Sequence, residues 1–139
     1  LTALYGNEGK PYRYSNIVMQ PNRWSSLLMY IKNEVEEQCQ THFTSVLLNY
    51  YRDGKDSNGW HADNEKELGI DPVIASISFG AERRFDLKHN LTKEKISFNL
   101  SHGSLLVMGG SLQHFWKHTI AKAKKIEEGR INLTFRRIV

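Results

Sequence analysis

Two spacings of apolar residues divide the chain. In PNRWSSLLMYIKNEVEEQCQ, residues 21–40, Trp24, Leu27, Leu28, Ile31 and Val35 recur at short helical steps, which predicts one face of an amphipathic helix. Pro21 and Asn22 are read as its start signal. After it the period changes. HFTSVLLNYY, PVIASISFG, RRFDL, EKISFNL, GSLLVMGG, HFWKHTI and RINLTFRRIV are short and rich in β-branched and aromatic residues, with Gly, Asp, Asn and Lys between them. This predicts a mainly β fold, a sandwich or barrel with the helix packed outside. No repeat, low-complexity tract or linker interrupts the pattern, so 139 residues predict one domain around a single core.

The last strand carries more information than the others. Alternation places Ile131, Leu133, Phe135 and Ile138 mainly on one side and Arg130, Asn132, Thr134 and Arg136 on the other. One reading is a half-exposed edge strand with solvated arginines. The other is a clamp for a small dianion, since a planar guanidinium meets a carboxylate with two hydrogen bonds. NYY offers a matching pattern, with Asn49 and Tyr51 facing one way and Tyr50 the other.

Composition narrows the class without naming a function. No apolar run approaches the roughly 18 residues of a membrane span, and LTALYGNEGK lacks the basic-then-apolar pattern of a signal peptide. The chain starts without an initiator Met, which predicts a segment upstream of Leu1. Cys39 is the single cysteine, so an internal disulfide is excluded and a reducing intracellular compartment is expected, with a monomer as the default state. A net charge of +4 permits a polyanionic partner without requiring one. Arg83, Arg84, Lys88, Lys122, Lys124 and Lys125 are read as solvated charge, a subset of which can touch phosphates.

Candidate chemistry starts in NGWHADNEKELG, where His61 and Asp63 are spaced to share one strand face. With 6 His in the chain, a lone His-x-Asp arises by chance in about one such chain in five, so it decides little by itself. A facial-triad iron site needs two imidazoles and one carboxylate. The second imidazole has to come from His42, His89, His102, His114 or His118. His118 lies shortly before the Arg130 strand, His114 alternates onto the same side and is its rival, and the other three sit at turn-like positions. A zinc hydrolase built on the same ligands would leave the Arg130, Asn132 and Arg136 face unexplained.

The ordered set NYYRDG, WHADNE, IASISFGAERRF, HGSLLVMGG, a W-K-H triplet and GRINLTFR resembles the AlkB family of Fe(II)- and 2-oxoglutarate-dependent nucleic-acid dealkylases, from about Tyr5 to Ile138. It looks closest to the subgroup that repairs DNA and RNA methylated on ring nitrogens. The resemblance implies a double-stranded β-helix, or jelly roll, occupying residues 41–139 behind the helix of 21–40. It implies iron ligation by His61, Asp63 and His118, and 2-oxoglutarate held by Asn49, Tyr51, Arg130, Asn132 and Arg136, with O2 as co-substrate. In such a fold the polar faces of NYY and RINLTFR turn inward.

Residues 1–20, with YGNEGKPYRYS, resemble the family's nucleotide-recognition segment. Tyr14 is then expected to stack on a flipped-out base opposite His61, Tyr12 to contact the nucleotide, and Glu65 to lie near the base edge. Asn64 departs from relatives that carry an acid there, which bears on base preference and not on the metal. Trp60 is expected beside the site, and Phe115 and Trp116 in the barrel wall. The implied activity is oxidative demethylation of 1-methyladenine and 3-methylcytosine in alkylated DNA, with RNA as a further candidate, in cytoplasm or nucleus and away from membranes. The same chemistry on a protein or small molecule, and a catalytically silent nucleic-acid binding module, are the rival expectations.

Overall fold

The computed structural model describes residues 1–14 and 16–139; Ser15, at the end of the recognition segment singled out above, lies outside the described residues. The fold is mainly β. Among the described residues eleven strands run β1 Thr2–Gly6, β2 Tyr12–Tyr14, β3 Ile17–Met19, β4 Ser45–Tyr51, β5 Asn58–His61, β6 Ile74–Gly80, β7 Arg83–His89, β8 Lys95–Leu100, β9 Leu105–Met108, β10 Trp116–Ile120 and β11 Arg130–Arg136. Helix α1 spans Ser26–Cys39 and the short helix α2 spans Leu112–Phe115. A five-stranded sheet has the order β1-β4-β11-β6-β9 and a four-stranded sheet the order β5-β10-β7-β8, while β2 and β3 form a separate ribbon. All their pairings are antiparallel. This arrangement is consistent with the jelly roll expected.

Two apolar cores hold the layers. Leu47 and Tyr51 of β4 and Ile74 of β6 meet Phe85 and Leu87 of β7 and Ile120 of β10, which joins the two sheets. Leu28 and Val35 of α1 meet Phe43, Val46, Ala75, Leu133 and Phe135 on the other side of the larger sheet. Strand β11 is therefore buried on both faces. Leu133 and Phe135 pack under the helix, and Arg130, Asn132, Thr134 and Arg136 are buried on the opposite side. Ile131 is the exception on the apolar face, at 43% exposed.

The helix begins later than its sequence signals predicted. Asn22 is tied to β1 instead: its N–H and its side-chain amide both donate to Leu4 O at 2.9 Å, and its carbonyl accepts from Gly6 N–H. The cap is Ser25, whose hydroxyl accepts from Leu28 N–H at 3.1 Å, an interaction of about 1 kcal/mol. Leu27, expected on the packed face, is exposed. Strands β1, β2 and β3 fall outside the segments whose pattern predicts strands, whereas the strand end expected at His61 and Asp63 is β5, which stops at His61. β5 has the sequence NGWH, whose Asn and Gly mask its pairing with β10.

Arg83 is the clearest departure from the solvated charge expected. It is 2% exposed and its guanidinium donates to the carbonyls of Asp53 at 3.2 Å, Asp56 at 2.9 Å and Ala121 at 2.7 Å. These bonds clip the loop after β4 to the loop after β10. The same loops exchange Gly54 N–H to Ile126 O and Ala123 N–H to Gly54 O, and a Cβ on Gly54 would overlap the Ala123 carbonyl. Arg84, one residue on, is exposed. Arg83→Gln is expected to destabilise the fold by about 2 kcal/mol, because carbonyls bonded to a charged donor lose their partner. Arg84→Gln should change stability by less than about 0.5 kcal/mol. Urea denaturation of the two variants reads the contrast.

Candidate metal and co-substrate site

The site forms where the two sheets face each other. His118 of β10 and His61 of β5 are direct partners across the smaller sheet, with ring centroids 4.3 Å apart. Asp63 follows just beyond the end of β5. One ligating atom from each of His61, Asp63 and His118 lies within 4.8 Å of the others, and Asp63 and His118 are buried. His114, the rival imidazole, is not on the strand. It belongs to α2 and places Nε2 2.9 Å from an Asp71 carboxylate oxygen. His42 and His102 are exposed, and His89 bonds the N–H groups of Leu91 and Thr92.

The chemistry of this set suits a divalent metal. His61 Nδ1 lies 2.7 Å from Gly59 O, which fixes it as the protonated nitrogen and leaves Nε2 with its lone pair. His118 Nε2 is buried without a hydrogen-bond partner among the described residues. Burial, then the neighbouring His61, lowers the His118 pKa to about 4, so the ring is neutral. Burial opposes ionisation of Asp63, yet Arg136, His118 and His61 outweigh it and hold the carboxyl below its ordinary range. Arg136 Nη2 sits 3.1 Å from Asp63 Oδ2.

Gln113 was not foreseen. This buried side chain accepts the Asp63 N–H through Oε1 at 2.8 Å, and its amide faces the Met108 sulfur. It lies five residues before His118, so it ties the two ligand-bearing segments together. No spacing signal in the sequence marks it. Gln113→Ala is expected to weaken divalent-metal affinity by about tenfold, the usual scale for groups that orient ligands. Isothermal titration with Mn(II) measures this without turnover.

Beside the triad, strand pairing sets Tyr51 opposite Arg130 and Asn49 opposite Asn132. All four line one cavity with the triad, together with Arg136. Arg130 is buried, bonds Ser78 Oγ at 3.0 Å and faces the Tyr51 ring at 5.0 Å. Its Nε and Nη1, and the Nε of Arg136, have no partner among the described residues. Arg83 approaches the same Tyr51 ring at 5.6 Å. Asn132 is held by Ser76 Oγ at 2.6 Å and by the Thr134 hydroxyl, which leaves it fixed in orientation. Unpaired guanidinium donors in a buried cavity suit an anionic ligand such as a dicarboxylate.

On the open side, Tyr14, His61, Asp63 and Glu65 surround a second depression. Tyr14 is half-buried, and Glu65 has one buried oxygen without a partner among the described residues. Tyr12 differs from what was expected of a nucleotide contact. It is 1% exposed and lies against Arg136, whose guanidinium is 4.9 Å from its ring centroid. Trp60 points away from the triad, over Lys88. Trp116 packs against the inter-sheet core, whereas Phe115 is exposed.

The 2OG-Fe(II) oxygenase superfamily matches residues 3–136. The human alpha-ketoglutarate-dependent dioxygenase alkB homolog 3 is 43% identical over 99% of this chain and 51% of its own length. The human DNA oxidative demethylase ALKBH2 is 37% identical over 99% of this chain and 56% of its own. The chain thus spans about half the length of the curated relatives it matches. The solved structure of OsALKBH1 shares the fold, with a TM-score of 0.71 over 98% of this chain and 77% of that one at 18% identity. The chain belongs to the 2OG-Fe(II) oxygenase superfamily, and AlkB-type dioxygenases are relatives to which it is similar along nearly its whole length.

Proposed function

We propose that this chain is a single dioxygenase domain, a double-stranded β-helix with α1 outside it, that oxidatively demethylates N-alkylated bases in DNA. The observation that carries the reading is the juxtaposition of three ligating groups within 4.8 Å with buried, unpaired Arg130 donors in one cavity. His61, Asp63 and His118 would hold Fe(II). Arg130, Arg136, Asn132, Asn49 and Tyr51 would hold 2-oxoglutarate. The iron, when bound, supplies the oxidation of an N-methyl group by O2. Overall, N–CH3, O2 and 2-oxoglutarate become N–H, formaldehyde, succinate and CO2, with one oxygen atom in formaldehyde and the other in succinate.

The protein's own groups then have separable tasks. Arg136 keeps Asp63 ionised from a buried position 3.1 Å away. Arg130, oriented by Ser78 and Tyr51, would take one carboxylate of the co-substrate. Tyr14 would stack on the extruded base opposite His61, and the free Glu65 oxygen would accept from, or face, a cationic base edge. Tyr12 acts beneath them by supporting Arg136. Extruding the base costs a few kcal/mol, less for a damaged pair. The substrates are 1-methyladenine and 3-methylcytosine, RNA being a second carrier of the same lesions. The protein acts as a monomer in cytoplasm or nucleus; no helix among the described residues is long and apolar enough to cross a membrane.

Anaerobic spectroscopy tests the reading. Fe(II) plus 2-oxoglutarate is expected to give a weak visible charge-transfer band that shifts when a methylated oligonucleotide is added and not with its unmethylated counterpart. A protein lacking the band is not this kind of oxygenase. A band that responds to methylated peptide instead moves the substrate to protein.

A further inference from the structure

The face of the smaller sheet turned away from the triad has its own charge pattern. Lys117 of β10 lies directly opposite Lys88 of β7, and Lys88 directly opposite Lys95 of β8. Cross-strand partners share a face, so the lysines form one row across three adjacent strands. Lys117 follows Trp116 and precedes the buried His118, so its side chain points away from the triad. Trp60, next to His61, points the same way and lies beneath the row. Lys88 Nζ is 4.5 Å and Lys95 Nζ 5.9 Å from its ring centroid.

Among the described residues none of these lysines forms an ion pair. Arg84 and Asp86 share this face but neutralise each other at 3.1 Å. The row therefore holds +3, against a formal charge of +4 for the whole chain. Like charges in directly opposed positions oppose sheet pairing. A bound polyanion removes that repulsion.

We infer that this row, with Trp60, is a second nucleic-acid site that binds the backbone of single-stranded DNA leaving the mouth of the cavity. The inference extends the proposed function and takes only the class of ligand from it. The row is straight and spans about two inter-strand spacings, or ~10 Å, a length over which three ammonium groups can face successive phosphates of one backbone. Trp60 is 39% exposed and gives a flat surface for an unpaired base between the lysines. The route is short. β5 is the edge strand of its sheet, with His61 facing the cavity and Trp60 facing the row. A strand that places a base against His61 reaches Trp60 by passing around one edge strand.

Fluorescence anisotropy with an unmodified 20-nucleotide single strand tests this, comparing the whole protein with K88E/K95E/K117E and with K122E/K124E/K125E, which reverses the loop lysines. The row variant is expected to bind at least tenfold more weakly, with a log–log salt slope smaller by about 2, as three lost phosphate contacts require. The loop variant should stay within twofold. Row-variant binding within twofold of the parent, or a larger loss in the loop variant, overturns the inference. An equal loss for a duplex of the same length removes the single-strand assignment, and displacement of the oligonucleotide by poly-glutamate at equal charge removes nucleic acid as the partner. Turnover of a methylated dinucleotide, too short to reach the row, is expected to be unchanged in the row variant. A parent protein that fails on a methylated 20-nucleotide single strand contradicts the proposed function, while the binding comparison still decides the row.

Discussion

His118→Ala is expected to abolish 2-oxoglutarate-dependent turnover, by ~10³-fold or more. A metal contributes several kcal/mol to such chemistry, and each factor of ten in rate corresponds to about 1.4 kcal/mol. The imidazole is buried, stacks on Phe85 at 5.2 Å and presents Nε2 to a space where no other donor among the described residues meets it. Among the described residues His61 is the other histidine lining the cavity, and it is already in the triad. His114 is held by Asp71, and a rotamer change would not carry it from α2 into the cavity. Loss of activity through unfolding is separable by metal-linked stability. At a metal concentration one hundred times its dissociation constant, the parent should gain about 2.7 kcal/mol over the metal-free protein. His118→Ala should gain close to none while still melting cooperatively without metal. Turnover within tenfold of the parent would remove His118 from the ligand set.

Arg136→Gln carries the largest expected stability cost, about 3–5 kcal/mol, the range for removing one partner of a buried ion pair. Arg136 is buried on the inward face of β11, with Asp63 at 3.1 Å and the Tyr12 ring under its guanidinium. The neighbouring Asp63 and Tyr12 keep its pKa above the ordinary arginine value even though burial works against the charge. Removing the guanidinium strands the Asp63 carboxylate in a dry site and raises its pKa. Asp63→Asn combined with Arg136→Gln should recover much of the lost stability, because no uncompensated charge then remains, without recovering turnover. Chemical denaturation of the two single variants and the double measures the coupling. Additive losses would mean that the pair is not energetically linked.

The sequence made the site more legible than its supports. Alternation in RINLTFR paired Arg130, Asn132 and Arg136 on one face, and the structure buries that face. Alternation alone could not say which face looked inward, since helix α1 covers Leu133 and Phe135 as well. The choice of His118 over His114 needed the short helix α2, whose QHF sequence reads equally well as a strand end. Arg83 shows a signal that was present and outweighed. It alternates with Phe85 and Leu87, both buried, so period two placed it inside, while its charge argued for solvent. The carbonyls that satisfy it come from Asp53, Asp56 and Ala121, which are remote in sequence. Gln113 and the burial of Tyr12 likewise depend on contacts across 50 or more residues, to Asp63 in the one case and Arg136 in the other. The start of α1 was misplaced because Asn22 spends its hydrogen bonds on β1, a pairing no local pattern announces.

The proposed activity is tested most directly by product stoichiometry on a single-stranded oligonucleotide carrying one 3-methylcytosine, with Fe(II), 2-oxoglutarate and O2 supplied. Formaldehyde and succinate are expected in equal amounts, with loss of one methyl mass from the oligonucleotide and none of these changes in Asp63→Ala. Succinate formed without formaldehyde, from an oligonucleotide that keeps its methyl group, would contradict the assignment of methylated DNA as the substrate.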